Sequence, residues 1–161
     1  MVDYEALHQD LAEILDELIE KSRTVPVLVE GERDVKALRA LGVEGDIRPI
    51  NRGNSLFRLC EDLSREYRRA IILTDWDVRG GRLARQLRDG LAANGVRYDD
   101  DLRARLTNVC RKEISTVESL DRFAERLAAI VETRDRSKPS KRYYAGKVQR
   151  WSMRRARRRS P

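Results

Sequence analysis

Histidine and cysteine are nearly missing from this chain. One histidine and two cysteines in 161 residues cannot build a zinc centre of the usual Cys/His kind. Cys60 and Cys110 lie far apart in ordinary surroundings, and buried, reduced thiols are expected rather than a disulfide. His8 is expected to be packed or solvated, not a ligand. Long apolar runs are missing too: none approaches the ~20 residues that a membrane span needs. The acidic N-terminus does not have the form of a signal peptide. A cytoplasmic protein with no membrane partner is expected.

What the chain has in quantity is charge. Asp and Glu number 27, Lys and Arg 34, for a net charge of +7. The excess is uneven. Residues 133–161 hold 12 Lys or Arg against the single acid Asp135, a net +11 that leaves about −4 for residues 1–132. The globular part is mildly acidic, and the basic character belongs to the C-terminal segment. The length suits one domain with an appended segment, and it can bury roughly two thirds of its unfolded surface.

Residues 3–21 place Leu7, Leu11, Ile14, Leu15, Leu18 and Ile19 at helical spacing, with acids on the other face. This predicts an amphipathic helix, residues 1–23, covering an apolar surface. The middle, residues 24–132, alternates strand and helix. Val27–Val29 reads as a short strand, followed by a helix from about Asp34 that Gly42 would stop. Residues 46–50 form a weaker strand, and Ser55 would cap a helix carrying Leu59, Cys60 and Leu63. Residues 70–74 form the clearest strand, and a helix follows Gly80-Gly81. Residues 98–105 are polar, Thr107–Cys110 is read as a fourth strand, and Glu118–Val131 as a closing helix. Alternation of this kind predicts an α/β fold with about four mainly parallel strands, flanked by helices.

Three acids stand where strands end: Glu30 after Val27-Leu28-Val29, and Asp75 and Asp77 after Ala70-Ile71-Ile72-Leu73-Thr74. Clustered carboxylates repel one another unless a cation offsets them, and hard cations such as Mg²⁺ take oxygen ligands, water and substrate phosphate. In open parallel sheets, ligands bind beyond the carboxyl ends of the strands. If the first and third strands are neighbours, Glu30 and Asp75 face each other there. Asp77 would point the same way as Asp75 in extended chain, with Cα atoms roughly 6.6 Å apart. The competing reading of any such acid is a helix cap or turn residue, and for Asp34 that reading suffices. Glu113 and Glu118 are read as surface or first-turn acids, with a place near the site as the alternative. Trp76 should point away from the aspartates and pack. Gly80 and Gly81 would let the backbone approach closely and open a helix whose N-terminus favours phosphate. Arg33, Arg52, Arg79, Arg82, Arg111 and Lys112 are candidate phosphate contacts, against the alternative of solvated surface charge.

The Glu30-Gly31 pair after a strand, Asp34 beyond it, and Asp75-x-Asp77-x-x-Gly80 some 45 residues later resemble the Toprim domain. That domain occurs in topoisomerases, bacterial-type primases, nucleases, recombination proteins and the ribonuclease that matures 5S ribosomal RNA. The resemblance covers about residues 24–131 and is strongest to the small stand-alone Toprim proteins of archaea. It implies a compact Rossmann-like fold, a general acid/base at Glu30, and Mg²⁺, with Mn²⁺ as a substitute, held by Asp75 and Asp77 beside Glu30. A topoisomerase would need a further domain bearing a nucleophilic tyrosine, for which no room is expected. The zinc module of the primases and the ATPase of the larger nucleases are likewise not expected here.

Residues 133–142 read as a linker. Tyr143, Tyr144 and Trp151 follow, interleaved with basic residues, before Arg154, Arg155, Arg157, Arg158 and Arg159. Such a segment suits RNA or DNA, through phosphate contacts and base stacking; a solvated basic end is the alternative. The resemblance leaves three functions open: a Mg²⁺-dependent phosphodiesterase on structured RNA or on DNA, a nucleic-acid or ribonucleoprotein binding module without turnover, and a primase-like component of a repair assembly.

Overall fold

The computed structural model describes residues 1–51 and 55–135. Among the described residues, six helices and four strands follow one another: α1 (Tyr4–Lys21), β1 (Val27–Val29), α2 (Glu32–Leu41), β2 (Ile47–Pro49), α3 (Leu56–Glu66), β3 (Arg69–Ile72), α4 (Val78–Ala93), β4 (Arg97–Asp99), α5 (Asp101–Cys110) and α6 (Leu120–Asp135), with a 3₁₀ turn, Val117–Ser119, leading into α6. The strands form one sheet in the order β2-β1-β3-β4, and every pairing is parallel. The α/β class with a Rossmann-like parallel sheet is as expected. Among the described residues, no helix is long and apolar enough to cross a membrane.

Alternation along the strands divides the core. Val27, Val29, Ile71 and Leu73 point to one face, against Leu11, Leu15 and Leu18 of α1, Leu38 of α2, Leu102 and Leu106 of α5, and Phe123 and Leu127 of α6. Leu28, Ala70 and Ile72 point to the other, against Cys60 and Leu63 of α3 and Ala84, Leu87 and Leu91 of α4. A sheet covered on both faces explains why β1 and β3 read as continuous apolar runs. The N-terminal helix is more than a cover, because Leu11 and Leu18 are wholly buried. His8 is buried within it.

Local signals set several boundaries. The Ser55 hydroxyl accepts from the Arg58 amide at 3.2 Å and starts α3. Gly42 ends α2 in the left-handed region, at φ 103°, where a side chain would strain the backbone. The expected fourth strand at Thr107–Cys110 is corrected. Those residues belong to α5, whose Leu102, Leu106 and Cys110 recur every four residues and are all buried. The fourth strand is β4, a sheet-edge segment of sequence Arg-Tyr-Asp with two exposed residues, and it lacks the apolar signature of a buried strand. The helix after β1 starts at Glu32, two residues earlier than expected, and α6 runs on to Asp135, into the segment read as a linker.

Burial pushes the Cys60 thiol up, and that of Cys110 up to about 12. Neither supplies thiolate near neutral pH. In the native protein both are expected to resist a thiol-directed reagent, and to react only after denaturant is added. Labelling of either in buffer, read by mass spectrometry, would contradict this packing.

Candidate functional site

The strand order reverses between β1 and β3, since β2 lies beyond one and β4 beyond the other. Such a reversal opens a crevice at the carboxyl ends of the strands, and Glu30 and Asp75 meet there. Register carries them together: Leu28 pairs with Ile72, and the Leu73 amide donates to the Leu28 carbonyl at 2.8 Å. One turn of chain later, Glu30 Oε2 accepts from the Asp75 amide at 2.9 Å. Asp75 Oδ1 accepts from the Val117 amide at 2.8 Å, so the 3₁₀ turn also leans on the site.

Burial pushes the Asp75 carboxyl up to about 8, helped by the hydrogen-bonding Glu30 carboxyl beside it and by the negative charges of Asp34 and Glu30; the Val117 N–H pulls the other way. Asp34 is buried within the first turn of α2, and its Oδ2 accepts from the amides of Gly31 at 3.0 Å and Glu30 at 3.2 Å. Burial raises its carboxyl, and the charges of Glu30 and Glu118 add to the shift. The helix-terminal role expected of Asp34 accounts for its bonds, and its charge still falls within the field of the site.

Asp77 behaves differently. β3 ends at Ile72, so Asp75 and Asp77 lie in a loop rather than in extended strand. Asp77 is exposed, and its Oδ1 accepts from the Gly80 amide at 2.6 Å, which makes it the N-cap of α4. Among the described residues, no group of three or more His, Cys, Asp or Glu side chains is placed to hold a metal ion. Two carboxylates, Glu30 and Asp75, are brought together, and the third ligand expected from sequence is not. A pair still suits Mg²⁺, which commonly takes one or two protein carboxylates and completes its shell with water and phosphate. The Asp75 carboxyl is raised first by burial and only then by its acidic neighbours, and a dication held there would favour its ionised form.

The loop joining Thr74 to Gly80 is fastened from three sides. Arg103, on α5, donates from Nε to the Thr74 carbonyl at 3.1 Å and from Nη2 to the Asp75 carbonyl at 2.8 Å. Trp76 packs against the core as expected, with Nε1 donating to the Ile114 carbonyl at 2.6 Å. The Thr74 hydroxyl donates to the Gly80 carbonyl at 2.7 Å. Gly80 is buried, and the position requires glycine because a Cβ there would lie 1.8 Å from the Asp75 carbonyl oxygen. The close approach that sequence reserved for a phosphate is taken by the chain's own backbone. Gly81 has open space around it, and Arg79 and Arg82 are exposed on the first turns of α4.

Arg33 is exposed on α2 and borders a cavity between α2 and α6. Arg111 and Lys112 are exposed beyond α5, and Glu113 pairs with Arg126 at 3.2 Å. Arg52, Arg154, Arg155, Arg157, Arg158 and Arg159 lie outside the described residues. Sequence reasoning missed Arg103, whose burial lowers its guanidinium despite the facing charges of Asp100, Glu30 and Asp75. No local signal marked it, because its role depends on the packing of α5 beside the Thr74–Gly80 loop.

Relatives are clear by sequence. The chain is 38% identical over 118 residues to a UPF0292 protein of Methanosarcina barkeri, spanning 73% of this chain and 82% of that one. It is 34% identical over 131 residues to a UPF0292 protein of Methanosarcina acetivorans, spanning 79% and 90%. A UPF0292 protein of Archaeoglobus fulgidus is 37% identical over 119 residues, spanning 73% and 92%. A solved structure, a putative protein from Aquifex aeolicus, superposes with a TM-score of 0.59 at 26% identity, over 66% of this chain and 94% of that one. No protein-family model matches the chain.

Proposed function

The chain belongs to the UPF0292 family, and we propose that it is a Toprim-type protein that uses Mg²⁺ or Mn²⁺ to cleave phosphodiester bonds in RNA or DNA. The observation that carries this reading is the contact of Glu30 and Asp75 across the β1–β3 crevice, with Glu30 Oε2 on the Asp75 amide at 2.9 Å. Glu30 and Asp75 would hold the cation. When bound, it would polarise a phosphate oxygen and stabilise the leaving oxygen. Glu30, which ends a buried strand, would move a proton to or from the reacting oxygen. Arg103 would keep the Asp75 backbone in place beneath it. The basic segment after α6 would supply much of the affinity for nucleic acid, because residues 1–132 are net negative.

Glu30→Gln keeps the shape of the side chain and removes its charge and its basicity. Purified protein with Mn²⁺ is expected to nick ribosomal RNA precursors or branched DNA, and Glu30→Gln to lower that rate by about 10²–10⁴-fold, the range for losing an acid–base group, with nucleic-acid affinity retained. Equal rates for the two proteins would sink the assigned role. A second reading has its own support: the engagement of Asp77 by Gly80 leaves two converging carboxylates, which favours a module that binds nucleic acid around a held cation without turnover. Intact binding with no cleavage of any of these substrates decides for it.

A further inference from the structure

Beside the acid pair, α2 and α6 face each other across a cavity of about 650 Å³. Arg33 and Lys36 stand on the α2 wall and Arg122 and Arg126 on the α6 wall, against two acids in the lining, Glu118 and Asp121. A local excess of two positive charges is a departure for a domain that is net negative over residues 1–132. Among the described residues, the side chains of Arg33, Lys36 and Arg122 have no ion-pair partner, and all three are exposed. Arg126 is tied to Glu113 and lies over the Phe123 ring at 5.4 Å. Buried Phe123 forms floor rather than a stacking surface.

The cavity joins the acid pair on both of its walls. Val117 of the 3₁₀ turn donates to Asp75, and the next two residues, Glu118 and Ser119, line the cavity. On the opposite wall, Arg33 lies three residues from Glu30. Cations therefore line both facing walls of the cavity. A space of this size matches a small-ligand pocket, which suits the few linked nucleotides of a single strand lying between α2 and α6.

We infer that the groove between α2 and α6 binds the phosphates of a single nucleic-acid strand and leads that strand to Glu30 and Asp75. This rests on the nucleic-acid reading above and names the path that the strand takes. Unpaired cations at the groove then do work that the basic C-terminal segment cannot: they fix which bond of a bound strand reaches the acids.

The test uses the full chain with labelled single-stranded RNA and DNA oligonucleotides, in EDTA, over a range of salt. Lys36→Glu/Arg122→Glu is compared with Arg68→Glu/Arg97→Glu, an equal charge change among exposed residues at the amino end of the sheet. Groove reversal is expected to weaken strand binding at least roughly tenfold and to reduce the salt slope by about 1.4, two lost contacts at about 0.7 each. The control should shift affinity much less, and an equal loss in both would overturn the groove assignment. A loss as great for a duplex as for single strands would remove the single-strand claim. Displacement by inorganic pyrophosphate at matched phosphate concentration would make the groove a small-phosphate site and overturn it too. Mn²⁺ binding, followed in parallel by its electron spin resonance, judges the acid pair separately: its absence from the unaltered chain would count against the metal-dependent function and leave the EDTA comparison to decide the groove.

Discussion

Gly80→Ala is expected to destabilise the protein by about 3 kcal/mol, the upper part of the usual range for overpacking, and to lower its melting temperature by roughly 6–12 °C. The added Cβ would lie 1.8 Å from the Asp75 carbonyl oxygen, 2.5 Å from its carbon and 2.9 Å from its Cα. These are backbone atoms, so no flexible side chain can yield. Asp75 is itself fastened, by Arg103 on its carbonyl and by Glu30 on its amide, and Gly80 is fastened by Thr74 on its carbonyl. Relief therefore requires the Thr74–Gly80 loop to move, which separates Asp75 from Glu30. The neighbouring glycine gives the contrast. Gly81 has nothing within 4 Å of its built Cβ, and alanine within a helix gains about 0.5–1 kcal/mol over glycine. Gly81→Ala should match or exceed the parent in melting temperature. Calorimetry on the pair decides the matter: if both alanine variants melt with the parent, the close approach at Gly80 carries no strain.

That glycine also shows where sequence reading reached and where it stopped. Acids that follow short apolar runs are visible locally, and Glu30 and Asp75 needed only the inference that β1 and β3 are adjacent. Asp77 shared the local pattern, yet its role turned on where β3 ends. The strand stops at Ile72, and a carboxylate three residues ahead of an amide at a helix start becomes a cap. The segment 97–110 was misread because β4, at the sheet edge, carries Arg and Asp in place of an apolar run, while the short apolar stretch at Val109-Cys110 imitates a strand. Once α5 was missed, Arg103 had no face and no partner to be assigned. The groove was out of reach for another reason. Its walls come from residues 33–36 and 122–126, and only the packing of α2 against α6 sets them opposite one another. Local pattern reports elements and strand ends; the convergence of distant surfaces depends on the whole fold.

Without divalent cation, the protein is expected to lose stability as pH rises from about 4 toward 8, by an amount on the order of a few kcal/mol. The sign follows from Asp75, raised from 3.8 to about 8 by burial and by the Glu30 carboxyl. Below the unfolded value the group is protonated in both states and imposes no penalty. Between the two values the unfolded chain releases its proton while the folded chain keeps it, so each unit of pH favours unfolding by up to about 1.4 kcal/mol. Above the folded value the loss levels off. Asp34, also raised by burial, adds in the same direction. Asp75→Asn cannot ionise and should flatten most of this slope, so in EDTA it should be more stable than the parent near pH 8. Mn²⁺ reverses the ranking if Asp75 is a ligand, because the cation recruits the ionised carboxylate and stabilises the parent in proportion to its binding. Denaturant titrations of both proteins on either side of this pH window, with EDTA and then with Mn²⁺, make the comparison. Equal stabilisation of parent and Asp75→Asn by Mn²⁺ would place the cation elsewhere, while a flat parent profile in EDTA would mean that Asp75 ionises freely beside Glu30. A steep profile that Mn²⁺ cancels in the parent alone ties the strain of the paired acids to the ion they are proposed to hold.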